Sequence, residues 1–131
     1  MQRTLDEFLC AYERKPWEPA SVNCCLFLAS WAIWLGHQDP ARHLRETFET
    51  EEEFQQLVVR AGGVVPVVEN CVDTIRGRKL IEPKLGAIGV IGSANNMQRQ
   101  FGAIFNGARW MVRYKDCVGP MAAGALAIWE I

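Results

Sequence analysis

Apolar residues recur at helical spacing through the first sixty per cent of the chain and in short β-rich runs after it. Leu5, Phe8, Leu9 and Tyr12 form one face of a predicted helix over 3–13, with Thr4 as cap and Glu7 completing a capping box. Lys15-Pro16-Trp17-Glu18-Pro19 then holds the chain extended. Residues 22–36 are the most hydrophobic stretch. Cys24, Phe27, Leu28, Trp31 and Leu35 share a face, while Leu26, Ala29, Ile33 and Trp34 cover much of the remainder, which predicts a central helix buried almost all round. Asp39-Pro40 reads as the start of a short helix running to about Phe48. Thr50-Glu51-Glu52-Glu53 is a capping box ahead of Phe54, Leu57 and Val58, and Gly62-Gly63 stops that helix; residues 65–76 read as one more. Beyond Gly77 the runs Ala87–Ile91, Phe101–Phe105, Arg109–Tyr114 and Ala125–Trp129 alternate with turn residues. Asn106-Gly107 marks a hairpin. Helices followed by an antiparallel meander predict an α+β fold, N-terminal helices packed on a C-terminal sheet, in one domain over 1–131.

Composition narrows the function classes. Half of the 131 residues are hydrophobic and the formal net charge is -1, with acids and bases mixed. No electrostatic footprint for nucleic acid or an anionic membrane results. The longest apolar run, Cys24 to Ile33, is too short to span a bilayer, and Met1–Glu7 has no apolar core, so neither a membrane span nor a signal peptide is expected. The five cysteines (10, 24, 25, 71 and 117) form no C-x-x-C pair, and His37 and His43 are the only histidines. Neither a metal site nor a cofactor is expected, and free thiols fit a reducing compartment.

The chemistry-bearing segment is Pro16-Trp17-Glu18-Pro19-Ala20-Ser21-Val22-Asn23-Cys24-Cys25-Leu26-Phe27. A thiol at a helix N-terminus meets the positive end of the macrodipole and free backbone N–H groups, which favour the thiolate. This stretch resembles the nucleophile region of small phage and prophage tail-associated proteins with an NlpC-type papain-like fold, which read like P-F-x-W-G-x-N-D-C-A-L-F. Gly36-His37-Gln38-Asp39-Pro40-Ala41, the helix from Phe48 to Gly63, the strand start at Gly86 and the late Trp129 extend the resemblance along most of the chain. It implies Cys24 at the nucleophile position, with Trp17, Asn23 and Cys25 lining a binding groove. Gln100-Phe101-Gly102-Ala103-Ile104 falls where active relatives carry H-V-G-I-Y, so Gln100 occupies the place of the histidine base, and a carboxamide cannot take up a proton near neutral pH. The third polar position falls near Val112 or Arg113, neither suited to orient a base. His37, some 18 Å along a continuous helix from Cys24, is out of reach, and His43 belongs to a polar surface.

The resemblance therefore implies a non-catalytic tail protein of the virion, assembled in the host cytoplasm and partnered by hub or tail-tip proteins. The alternative is an active cysteine peptidase or amidase acting on peptidoglycan through Cys24. A small regulatory or inhibitor protein is a third class that the sequence leaves open.

Overall fold

A computed structural model describes residues 1–18 and 22–131; Pro19, Ala20 and Ser21 of the segment before Cys24 lie outside the described residues. Four helices, α1 (Gln2–Glu13), α2 (Cys24–Trp34), α3 (Glu51–Ala61) and α4 (Val64–Thr74), precede a sheet of six strands, β1 (Arg78–Leu80), β2 (Ile88–Gly92), β3 (Gln100–Phe105), β4 (Trp110–Arg113), β5 (Val118–Pro120) and β6 (Ala125–Glu130). The sheet is antiparallel throughout, in the order β1-β6-β2-β3-β4-β5. This is an α+β architecture with helices before a sheet, and the central strands carry the register Ile88↔Ile104, Val90↔Gly102 and Ile88↔Trp129.

Strand pleating explains why the runs in the second half lack clean alternation. Ile88, Val90, Ile104, Ala127 and Trp129 face the helical layer, where they join Phe8, Phe27, Trp31 and Val68 in the main core. Ala87, Ile91, Ala103, Trp110 and Ile128 form a second cluster, covered by Phe101, Phe105 and Met121. Both faces are dry at the centre, so successive residues of β2 are buried. Gly89 sits under the Trp110 ring, where a Cβ would lie 2.7 Å from it.

Local signals place several helix ends. Thr50 Oγ1 accepts from the Glu53 amide at 3.1 Å, as the capping box requires, and Gly62 closes α3 in the left-handed region at φ 95. Elsewhere the structure departs from the expectations. Helix α1 begins at Gln2 with Met1 as its cap, so Thr4 lies inside the first turn, and Glu7 pairs with Arg3 at 3.3 Å instead of completing a box. Residues 40–46 form consecutive turns, not a helix. Asp39 Oδ1 accepts from the Ala41 amide at 3.0 Å and its carboxylate holds Arg45, while Glu46 takes φ 70; side-chain-to-backbone bonding and a left-handed residue both stop helix propagation there. Strands β1 and β5, three residues each, were not expected, and the β3–β4 hairpin uses a four-residue loop, 106–109, with Asn106 Oδ1 accepting from the Ala108 and Arg109 amides. Helix α2 is buried for most of its length, yet Ile33 and Trp34 are 44% and 47% exposed; its C-terminal turn comes to the surface. Among the described residues, no helix is long and apolar enough to cross a membrane.

Candidate functional site

Asn23 starts α2 by accepting, through Oδ1, from the amides of Cys25 at 2.9 Å and Leu26 at 2.8 Å. This cap sets Cys24 as the first helical residue, half-buried, facing a groove of about 280 Å³. Glycine at 102 lets the helix start approach β3: a Cβ there would lie 2.5 Å from the Cys24 carbonyl oxygen and 3.0 Å from the Leu28 side chain. Helix start, close strand and groove therefore depend on one another.

Trp17, Asn23, Cys24 and Gln100 all line this groove. Cys25 does not. One residue further round the helix, it turns into the core and borders a small apolar cavity with Val68, Cys71 and Ile88. A hydrogen bond from the Cys25 thiol lowers the Cys24 pKa below the ordinary thiol value, opposed by burial and assisted by the backbone N–H groups of Gly102, Cys24 and Cys25. The same hydrogen bond, with burial, raises Cys25. Burial also pushes Cys71 up to about 11. Cys24 is thus the more acidic thiol of the adjacent pair.

Gln100, nearly buried at 9% exposure, is bonded at both ends of its carboxamide. Its Oε1 accepts from the Val64 amide at 2.9 Å and its Nε2 donates to the Ser93 carbonyl at 3.0 Å. Gly63, the residue preceding α4, offers no side chain to cap that helix; Gln100 satisfies one of its free first-turn amides from the sheet. The Gln100 side chain is committed to tying α4 and the 93 turn to β3. Among the described residues, no histidine lines the groove: His37 follows the far end of the continuous α2, and His43 lies in the 40–46 turns near Asp39.

The structure brings the residues read as the third position to the other wall: Val112 and Arg113 both face the groove. The buried Arg113 guanidinium donates to the carbonyls of Tyr12 at 2.6 Å, Lys15 at 2.7 Å, Tyr114 at 2.7 Å and Lys115 at 3.1 Å. It therefore closes the C-terminal end of α1, where free carbonyls and the negative macrodipole end welcome a cation. No short-range pattern links residue 113 to residue 12, so only the fold reveals this clasp. Arg113 and Lys115 give one side of the groove positive charge, Glu51, Gln55 and Gln98 give the other an acidic and amide lining, and Phe54, Phe101, Tyr114 and Met121 add apolar surface. The arrangement can hold an extended chain by shape and polar contacts, and it offers a thiolate-prone sulfur at the floor. Among the described residues, no group of three or more His, Cys, Asp or Glu side chains could hold a metal ion.

A family model described as a domain of unknown function (DUF6950) matches residues 1–131, and the chain belongs to that family. Comparisons with curated proteins and with solved structures found no match.

Proposed function

We propose that this DUF6950 member is a non-catalytic recognition module on a degenerate papain-like, NlpC-type fold, serving as a structural or assembly component of a phage or prophage tail. The groove over Cys24 receives an extended segment of a hub or tail-tip protein. The observation that carries the reading is Gln100: the residue at the base position has both ends of its side chain bonded to backbone, so it neither accepts a proton nor is free to orient one. A cysteine opening a helix that packs on an antiparallel strand supports the papain-like comparison. The tail assignment and its location in the virion rest on the sequence resemblance.

One observation favours a second reading, a cysteine peptidase or amidase acting on peptidoglycan peptides: the lowered pKa of Cys24. A single variant set separates the two. In a Cys10→Ser/Cys117→Ser background, which removes the exposed thiols, iodoacetamide labelling of Cys24 is followed against pH, with muropeptide hydrolysis assayed in parallel. The recognition reading expects a labelling midpoint below the ordinary value of about 8.5, no hydrolysis, and slower labelling once co-expressed tail-tip proteins bind. Hydrolysis that disappears in Cys24→Ala establishes the peptidase instead. A tail-tip complex that leaves Cys24 labelling unchanged removes the groove from the interface.

A further inference from the structure

Near the C-terminal end of α2, helices α1 and α2 leave a second depression of about 360 Å³. Phe8 and Tyr12 contribute from α1, Lys15 from just past its end, Ile33 and Trp34 from α2 and its C-terminal turn, and Arg45 from the turns after it. Its two ends differ. At one end Trp34 stands against Phe8, ring centroids 5.5 Å apart, and remains 47% exposed beside Ile33. At the other, the Lys15 ammonium lies 5.4 Å from the Tyr12 ring centroid. Phe8 and Lys15 are seven residues apart, the last two beyond the end of α1, so about 10 Å separates the apolar end from the cationic one. The Tyr12 hydroxyl is buried at the floor, with the Ser30 side chain beside it. Exposed Trp34 and Ile33 at one end and a cation at the other are surface left without its complement.

The complement is present elsewhere in the same chain. Helix α3 turns Glu52, Gln56 and Val59 to solvent, and Val59 is 57% exposed. Glu52 and Val59 are likewise seven residues apart on one helical face, again about 10 Å. Acidic residues cluster at the Glu52 end, where Glu51, Glu52 and Glu53 form the first turn. We propose that the outward face of α3 in one copy lies in the α1–α2 groove of a second copy, with Glu52 at Lys15 and Val59 against Trp34 and Ile33. This is a helix-in-groove contact selected by charge and apolar spacing. Each contact pairs unlike faces, so two copies can close reciprocally into a dimer with two such contacts, or each can pass its free groove and helix face to a further copy. The surface is separate from the Cys24 groove, so the inference does not rest on the function proposed above.

Sedimentation velocity of the full chain, from about 1 µM to 1 mM, is the test. Weight-average mass is expected to rise with concentration above that of the monomer, and to fall as salt is raised. Lys15→Glu and Glu52→Lys, both at solvent-exposed positions, are each expected to weaken association at least about tenfold. Mixing the two single variants is expected to restore it, since each then meets a partner of opposite charge. Trp34→Ala weakens it without the salt dependence changing. A monomer at all concentrations overturns the proposal. So does association that both charge reversals leave unchanged. Circular dichroism of each variant checks that the fold is retained.

Discussion

Replacing Gln100 with alanine removes two hydrogen bonds, one to a part of the chain remote in sequence and one to the preceding turn. The Val64 amide is 36 positions away, and its residue is buried; the Ser93 carbonyl is seven away and partly buried. Leaving a buried amide without a partner costs about 1–3 kcal/mol, and the half-exposed carbonyl, which water can reach, about 0.5–1 kcal/mol. The expected loss is therefore about 3 kcal/mol, a large share of the 5–15 kcal/mol typical of a domain. Gln100→Glu separates the two contributions. It keeps an acceptor for the α4 amide, but as a carboxylate it sets an oxygen against the Ser93 carbonyl, and only the protonated acid can donate there, so its loss is expected to shrink as pH is lowered. Urea unfolding followed by fluorescence of the five tryptophans measures both, and amide exchange at Val64 reports the cap directly. Gln100→His is expected to lose stability as alanine does and to gain no hydrolase activity. A change below about 0.5 kcal/mol in Gln100→Ala, with the Val64 amide still protected, refutes the argument that this side chain is committed to structure.

Two further expectations follow from close contacts and from burial. Gly102→Ala places a methyl group 2.5 Å from the Cys24 carbonyl and against Leu28, so α2 must retreat from β3; a loss of about 2–3 kcal/mol in urea is expected, with altered Cys24 labelling. Burial raises the Tyr12 phenol from the usual 10.0 to about 12, with Ser30 and the Arg113 charge opposing the shift. Because the folded pKa of this acid is raised, its contribution to stability is complete below pH 10 and is lost as pH rises from 10 to about 12, by up to about 3 kcal/mol. In Tyr12→Phe that loss is expected to vanish. Parallel pH titrations of unfolding free energy check both statements; an identical alkaline loss in the two proteins contradicts them.

Much of the element content was legible because its causes are local. The capping box at Thr50 and Glu53, the left-handed stop at Gly62 and the nearly unbroken apolar run of α2 all act within a few turns. The four long strands announced themselves through β-rich runs between turn residues. Beyond that range the sequence was silent or misleading. The strands β1 and β5 are too short to carry a pattern and exist because β6 and β4 offer them rungs. The 40–46 segment has helix-start chemistry, but Asp39 spends its carboxylate on local bonds and on Arg45.

For the site, the sequence by itself determined that a cysteine opens the buried helix and that glutamine stands where the resemblance expects a base. Those are statements about residue identity and nearest neighbours. Only the tertiary structure decided what each side chain does there: Gln100 spans from β3 to the start of α4, Arg113 reaches the carbonyls of Tyr12 and Lys15 some hundred positions earlier, Cys25 turns into the core, and Ile33 and Trp34 emerge at the surface. The physical reason is that a buried polar group must find a partner wherever the fold brings one, and sequence separation does not limit which partner that is.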